Sequence, residues 1–422
     1  MNQILTDREN RKHIIKSYIK SNNIIVALKV TLPGEEKRRI PCRIINNLLR
    51  ERLSAYKILK KVQEIEDFDG YLTLYEVDSN LYQKIKKDMI LIEETHPLGR
   101  YVDIDVYYQN EVPLSRTSFG KKMRKCYICD DFAVVCSRLK RHTTCDLIEK
   151  ISNDTKNYLR QIYKTRITKA LFYELDLHPK FGLVTKYSNG SHPDMDYQVM
   201  KKAIEAITPF LTEMVIIGAF NQIDDIREMI RHAGILAEKE MLKATNNINA
   251  YKGMIYIMGF ACAAIGYLLA NDGEFSDIIT EISKNELSHF KNLNTINTFG
   301  EKMHKIYGIT GARGVVANGL TIIKDCYQII KDKNLDNSKL LHETLCYIVG
   351  NIDDTVLLKR AITIDKYNYY KNMISSINNF EIEYLNQITE KCIQDNISFG
   401  GASDILATAI LYKFAKEGLY DE

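Results

Sequence analysis

Tryptophan is absent from this 422-residue chain, and proline is scarce, with seven residues and none beyond Pro209. The C-terminal half therefore lacks the residue that most often breaks helices, and helix is expected throughout it. The opening residues MNQILTDREN hold no apolar core, so no signal peptide is expected. Nine cysteines form no regular framework along the chain, which fits a reduced, cytoplasmic protein. Long apolar runs are also few. The longest uncharged one, Gly253 to Ala270, has 18 residues and reads as a buried core helix rather than a membrane span. Apolar residues at 45% and charged residues at 27% exclude disordered and fibrous classes.

What is present is asymmetric. The first 150 residues carry 28 Lys and Arg against 21 Asp and Glu, while the remainder carries 30 against 33. A basic front half suits an anionic partner. That half mixes strand patterns (24–32, 71–77, 101–108) with helical ones (38–66 and 79–92, the latter capped by Ser79). From about residue 151 strand patterns fade, and helical periodicity recurs over 155–175, 196–232, 235–270, 274–290, 317–332, 338–349, 364–390 and 402–417. Two domains follow: an α/β (α+β) domain over 1–150 and an all-α domain over 155–422.

In the first domain, alternation along Val102-Asp103-Ile104-Asp105-Val106 puts both carboxylates on one strand face. Such a pair can hold Mg²⁺ for phosphoryl or nucleotidyl transfer; a solvated strand face is the alternative. Gly99 permits close backbone approach to a phosphate, and Arg100 can pair with it. Cys126, Cys129, Cys136 and His142 form either a tetrahedral zinc site or a reduced cluster without metal. Around them lie Arg116, Lys121, Lys122, Arg124, Lys125, Arg138, Lys140 and Arg141. Few aromatic residues interleave with these, which argues against nucleic acid and for an acidic protein partner.

The runs ETHPLGRYVDIDV, LSR and RKCYICDDFAVVCSRLKRH resemble the citrate lyase holo-acyl-carrier-protein synthases, which are nucleotidyltransferase-like phosphoribosyl-dephospho-CoA transferases. The resemblance implies transfer of 2′-(5″-triphosphoribosyl)-3′-dephospho-CoA to a serine of the apo-acyl carrier protein, with release of pyrophosphate. That chemistry agrees with Mg²⁺ on Asp103 and Asp105 and with Arg100 steadying the phosphates.

In the second domain, polar clusters interrupt the helices. They are Lys180 in HPKFGLV, His192 and Asp194 in GSHPDMD, Glu238 in AEKEM, Lys252-Gly253, Gly311, Arg313 and Gly314 in GARG, Asp354 before Thr355, and Gly400, Gly401 and Asp404 in GGASD. Gly-rich turns at helix starts offer N–H groups to anions; Asp194 or Asp196 can equally cap a helix. In this order the clusters resemble the triphosphoribosyl-dephospho-CoA synthases, a family described as all-helical. The resemblance implies that ATP and 3′-dephospho-CoA are joined with loss of adenine. Glu238 or Asp194 would serve as base or metal ligand. Lys180, Lys252 and Arg313 would clamp phosphates, with Asp354 and Asp404 as further metal or ribose contacts. The sequence departs from the family pattern at Phe181 (Pro), Asn247 (Gly), Ala250-Tyr251 (Thr-His), Val315 (Glu), Val356 (Asn) and Ala361-Ile362 (Gly-Gly). A fused bifunctional enzyme is the reading adopted. A lone transferase with a precursor-delivering helical domain, the parallel malonate decarboxylase system and a zinc- and anion-binding adaptor are its rivals.

Overall fold

A computed structural model describes residues 2–109, 112–287 and 299–418. It divides into two compact units, Met1–Leu159 and Arg160–Glu422.

The first unit is built on a four-stranded antiparallel sheet of order β2-β3-β1-β4. Its elements run α1 (Asn2–Tyr18), β1 (Asn23–Val30), α2 (Ile40–Ser54), β2 (Lys60–Asp67), β3 (Gly70–Asp78), α3 (Tyr82–Thr95), β4 (Val102–Tyr108) and α4 (Ala133–Leu139). β1 is central and almost wholly buried, as its run NIIVALKV requires. One face, with Ile25, Ala27, Leu72 and Leu74, is covered by Ile14, Ile15 and Tyr18 of α1. On the opposite face α2 packs against β1 and β3, and α3 packs against β4.

Two expectations are corrected. The helix read over 38–66 stops at Ser54, and Lys60–Asp67 forms β2 instead. Phe68-Asp69 is a two-residue hairpin loop joining it to β3, and the Asp69-Gly70 pair is the turn signal that propensity masked. β2 is an edge strand, so its Lys and Glu residues stand in solvent without cost. The cap ahead of α3 is Asp78, whose carboxylate accepts the Asn80 N–H, rather than Ser79.

A long helix, α5 (Thr144–Asp176), contains the division between the units. The second unit follows with α6 (Tyr197–Phe220), α7 (Ile223–Ala244), α8 (Lys252–Ala270), α9 (Phe275–Ile282), α10 (Phe299–Tyr307), α11 (Gly311–Ala317), α12 (Thr321–Ile330), α13 (Ser338–Asn351), α14 (Thr355–Ala361), α15 (Ile364–Ser375), α16 (Ile382–Gln394) and α17 (Gly400–Glu417). Periodicity located this mass of helix but merged α6 with α7, α7 with α8 and α15 with α16. Of the helix read over 274–290, Phe275–Ile282 forms, and 288–290 lie outside the described residues.

α6 and α8 are each long and apolar enough to cross a membrane, yet 67% and 72% of their apolar windows are buried within the protein. They are core helices here. They press together where Gly218 meets the backbone of Ala263 and Gly266 meets that of Val215.

Ile362 is conspicuous. It is 85% exposed and sits at φ 69°, ψ −41°, while Thr363 N–H bonds to Ala361 O at 2.8 Å. That is a γ-turn of the strained hand, on a β-branched residue. Ile362→Gly should therefore raise stability by about 1 kcal/mol, read as a higher urea midpoint with an unchanged slope.

Candidate functional site

The helical unit holds a cavity of about 590 Å³ between α7 and α8, lined also by Asn285, Glu286 and Arg313. α7 presents Arg227, Arg231, Gly234 and Glu238 to it, the one face that spacings of four, three and four residues produce. α8 contributes Lys252 at its first turn, then Ile255, Tyr256 and Phe260. The Lys252 ammonium donates to Glu238 Oε1 at 2.6 Å. Glu286 accepts from Arg227 at 2.9 Å and from the Tyr256 hydroxyl at 2.6 Å. Burial, and then the Glu286 carboxylate, push the Tyr256 hydroxyl far above its ordinary pKa, so it stays a donor. Glu238, Lys252 and Arg313, distant in sequence, thus meet in one cavity. The sequence reading missed Arg227, Arg231, Tyr256 and Glu286, although the period of α7 placed both arginines in line with Glu238.

The remaining candidates of this unit lie outside that lining. Lys180 is buried, donating to Glu174 Oε1 at 2.6 Å and to Glu174 O at 2.7 Å. His192 is buried between Ser398 Oγ and Arg360 Nη2, each 2.9 Å away. Burial and then the Arg360 charge lower its pKa to about 4, so it is neutral. Asp194 is exposed, and Asp196 caps α6 by accepting Val199 N–H at 2.8 Å. Gly311 and Gly314 are buried, Gly311 against Thr355 and Gly314 against Thr310.

Asp354 joins two helices. Its Oδ1 accepts the N–H groups of Val356 and Leu357, and its Oδ2 accepts that of Ala402 at 3.1 Å. Val356 packs over Gly400, and a Cβ at Gly401 would lie 3.0 Å from the Asp354 carboxyl carbon, so the paired glycines let α17 approach its cap. Losing both caps in Asp354→Ala should cost about 2–4 kcal/mol, measurable by thermal unfolding. Asp404 faces the start of α8, where a Cβ at Gly253 would collide with it. Burial, then Asp354 and Glu174, raise its pKa well above the ordinary carboxylate range.

The sheet unit holds a second cavity, of about 720 Å³. Arg8, Lys29, Lys37 and Lys140 line it together with Asp69 and Asp103. Asp69 receives Lys29 at 2.6 Å and Arg8 at 2.9 Å, and these cations hold it below its ordinary pKa despite burial. Burial and then Arg8 lower the Lys37 pKa. Lys29 stands opposite Asp103 in the β1–β4 register. Arg124 reaches Asp103 at 2.8 Å and Glu93 at 2.6 Å.

Asp103 and Asp105 alternate with the buried Val102, Ile104 and Val106, so they share a face. Burial, then the Asp103 charge, push Asp105 up to about 6. Gly99 is buried where a Cβ would meet the last carbonyls of α3. Arg100 lies outside the cavity lining; it donates to Cys126 O at 2.5 Å and stacks 5.7 Å from the Tyr127 ring. The basic surface is largely self-paired: Arg116 and Lys121 bind Glu94, Lys125 binds Asp130 and Arg141 binds Asp131. Lys29, Lys37 and Arg8 escaped the sequence reading because they reach this cavity from β1, the loop after it and α1, which only the fold brings together.

The family described as apo-citrate lyase phosphoribosyl-dephospho-CoA transferase matches residues 1–158, and the family described as ATP:dephospho-CoA triphosphoribosyl transferase matches residues 161–421. The chain is similar to protein CitXG of Leuconostoc mesenteroides subsp. cremoris, at 31% identity over 97% of this chain and 95% of the relative. It is similar to protein CitXG of Haemophilus influenzae, at 29% identity over 78% of this chain and 76% of that one. It also resembles the 2-(5″-triphosphoribosyl)-3′-dephosphocoenzyme-A synthase of Haemophilus ducreyi, at 29% identity over 68% of this chain and 98% of that one. Both cavities therefore lie in units that match transferase families, and the chain belongs to the family in which an apo-citrate lyase phosphoribosyl-dephospho-CoA transferase is fused to an ATP:dephospho-CoA triphosphoribosyl transferase.

Proposed function

We infer that the chain both makes and installs the citrate lyase prosthetic group. The observation that carries this reading is the meeting of Glu238, Lys252 and Arg313 in one cavity with the apolar faces of Tyr256 and Phe260. Its volume suits a nucleotide. The 2′-hydroxyl of 3′-dephospho-CoA attacks C1′ of the ATP ribose. The bond from C1′ to adenine breaks, and the triphosphate stays on the ribose. Glu238 takes the hydroxyl proton, Lys252, Arg313 and Arg231 hold the triphosphate, and the aromatic rings receive the base. None of the residues that depart from the synthase pattern lines this cavity, which supports a retained synthase activity.

The sheet unit then uses the product. A serine hydroxyl of the apo-acyl carrier protein attacks the phosphorus next to the ribose, forming a phosphodiester and expelling pyrophosphate. Arg8, Lys29, Lys37 and Lys140 bind the polyphosphate. Asp103 and Asp105 fit Mg²⁺, because two carboxylates repel one another on one face and a dication relieves that repulsion. A Mg²⁺ held there supplies charge neutralisation on the phosphates.

The test is to incubate the full-length chain with ATP, 3′-dephospho-CoA and Mg²⁺ and follow free adenine by chromatography. Apo-acyl carrier protein is then added, and its mass is read. Stoichiometric adenine followed by a modified carrier is expected. No adenine from folded protein would sink the synthase half.

A further inference from the structure

The fold closes Cys126, Cys129, Cys136 and His142 into one cluster, whose candidate ligand atoms all lie within 4.8 Å of one another. The chain builds it in two local steps. Cys126 N–H bonds to Asp131 O at 2.7 Å, which folds the Cys126–Cys129 stretch into a tight knuckle. α4 then carries Cys136, Lys140 ends it in the left-handed conformation, and Arg141 N–H returns to Cys136 O at 3.1 Å. That reversal brings His142 Nε2 to 3.3 Å from Cys129 Sγ, while the Cys129 and Cys136 sulfurs stand 3.4 Å apart. Tetrahedral zinc bonds imply about 3.8 Å between sulfurs and about 3.5 Å between sulfur and nitrogen. Cys126 and Cys136 are buried and the other two half-buried, as in a closed site.

We propose that these four residues bind one Zn²⁺, and that the ion fixes a wall of the sheet-unit cavity. Three thiolates and one imidazole complete the tetrahedron and leave no open position, so the ion is structural. Its neighbours connect it to the cavity. Tyr127, Lys140 and His142 line the same space as Asp103. The Tyr127 hydroxyl meets Thr31 Oγ1 at 2.8 Å, and Arg100 grips the Cys126 carbonyl. Without the ion, the knuckle and the end of α4 lose their common anchor, and Lys140 loses its position at the cavity. Carrier loading therefore depends on zinc, and adenine release does not. This second part rests on the assignment of the cavity to transfer; the metal site does not.

The experiment uses the full-length chain, purified under reducing conditions without chelator. Metal content is read by inductively coupled plasma mass spectrometry. One zinc per chain is expected, with Cys136→Ser and His142→Ala each near zero. Cobalt substitution should give thiolate charge-transfer bands and tetrahedral d–d bands, and circular dichroism controls for folding of the variants. Titration of the reduced, metal-free chain with zinc alone should restore carrier loading from supplied precursor at least tenfold, with adenine release unchanged throughout. No zinc on purification and none taken up on titration overturns the site. A Cys129–Cys136 disulfide in the native protein, read as a loss of two hydrogens, does the same. Full carrier loading by the metal-free chain overturns the wall role. Zinc at one per chain without carrier loading overturns the transferase reading and leaves the metal site standing.

Discussion

Glu238→Gln in the full-length chain should slow adenine release by about 100- to 10,000-fold, a loss of roughly 3–5 kcal/mol of transition-state stabilisation. Carrier loading from supplied precursor should not change. Glutamine keeps the size of glutamate and can still pack beside Lys252, but it cannot accept the proton of the attacking hydroxyl. The ion pair at 2.6 Å also disappears, leaving the ammonium for the triphosphate. The defect should thus appear in kcat, with the KM for ATP unchanged or lower. Lys252→Met should act the other way, mainly raising KM. A Glu238→Gln chain with near-normal kcat would refute the role of this carboxylate as base. It would turn attention to Glu286, the other acid of the cavity.

The residues of that cavity were partly legible beforehand, and the reason is geometric. Glu238, Lys252 and Arg313 carried charge in apolar or glycine-rich surroundings, a local anomaly that a sequence displays. Arg227 and Arg231 sat on an ordinary amphipathic helix, and only the packing of α7 on α8 gives them a common direction with Glu238. Lys180, His192 and Asp354 were anomalies of the same kind, and the fold gives each a protein partner: a paired ammonium, a neutral imidazole and a double helix cap. Charge in an apolar setting marks a polar group with a partner, and the sequence cannot say whether that partner is protein or substrate. The same holds in the sheet unit. Period-two alternation placed Asp103 and Asp105 on one face. Lys29 joined them through strand pairing, which no local pattern encodes. β2 reads as helix in sequence because an exposed edge strand is as polar as a helix surface.

Asp105→Asn should move stability and activity in opposite directions. Burial and the neighbouring Asp103 hold its carboxyl near pH 6 in the folded chain, above its ordinary value of 3.8. A raised acid contributes stability that is fully present below pH ~4 and is lost as pH rises through about 6. At pH 8 the folded chain therefore carries an ionised, repelled carboxylate at a cost of roughly 3 kcal/mol. Asparagine removes that charge and should raise the urea midpoint at pH 8 but not at pH 4. Carrier loading should nevertheless fall by about 100-fold or more, because the face with Asp103 loses one of its two carboxylates for Mg²⁺. Adenine release, which uses the other unit, should stay at the wild-type rate. A variant that gains no stability at pH 8 would show that Asp105 is already satisfied without a cation. Unchanged carrier loading would remove it from the transfer site.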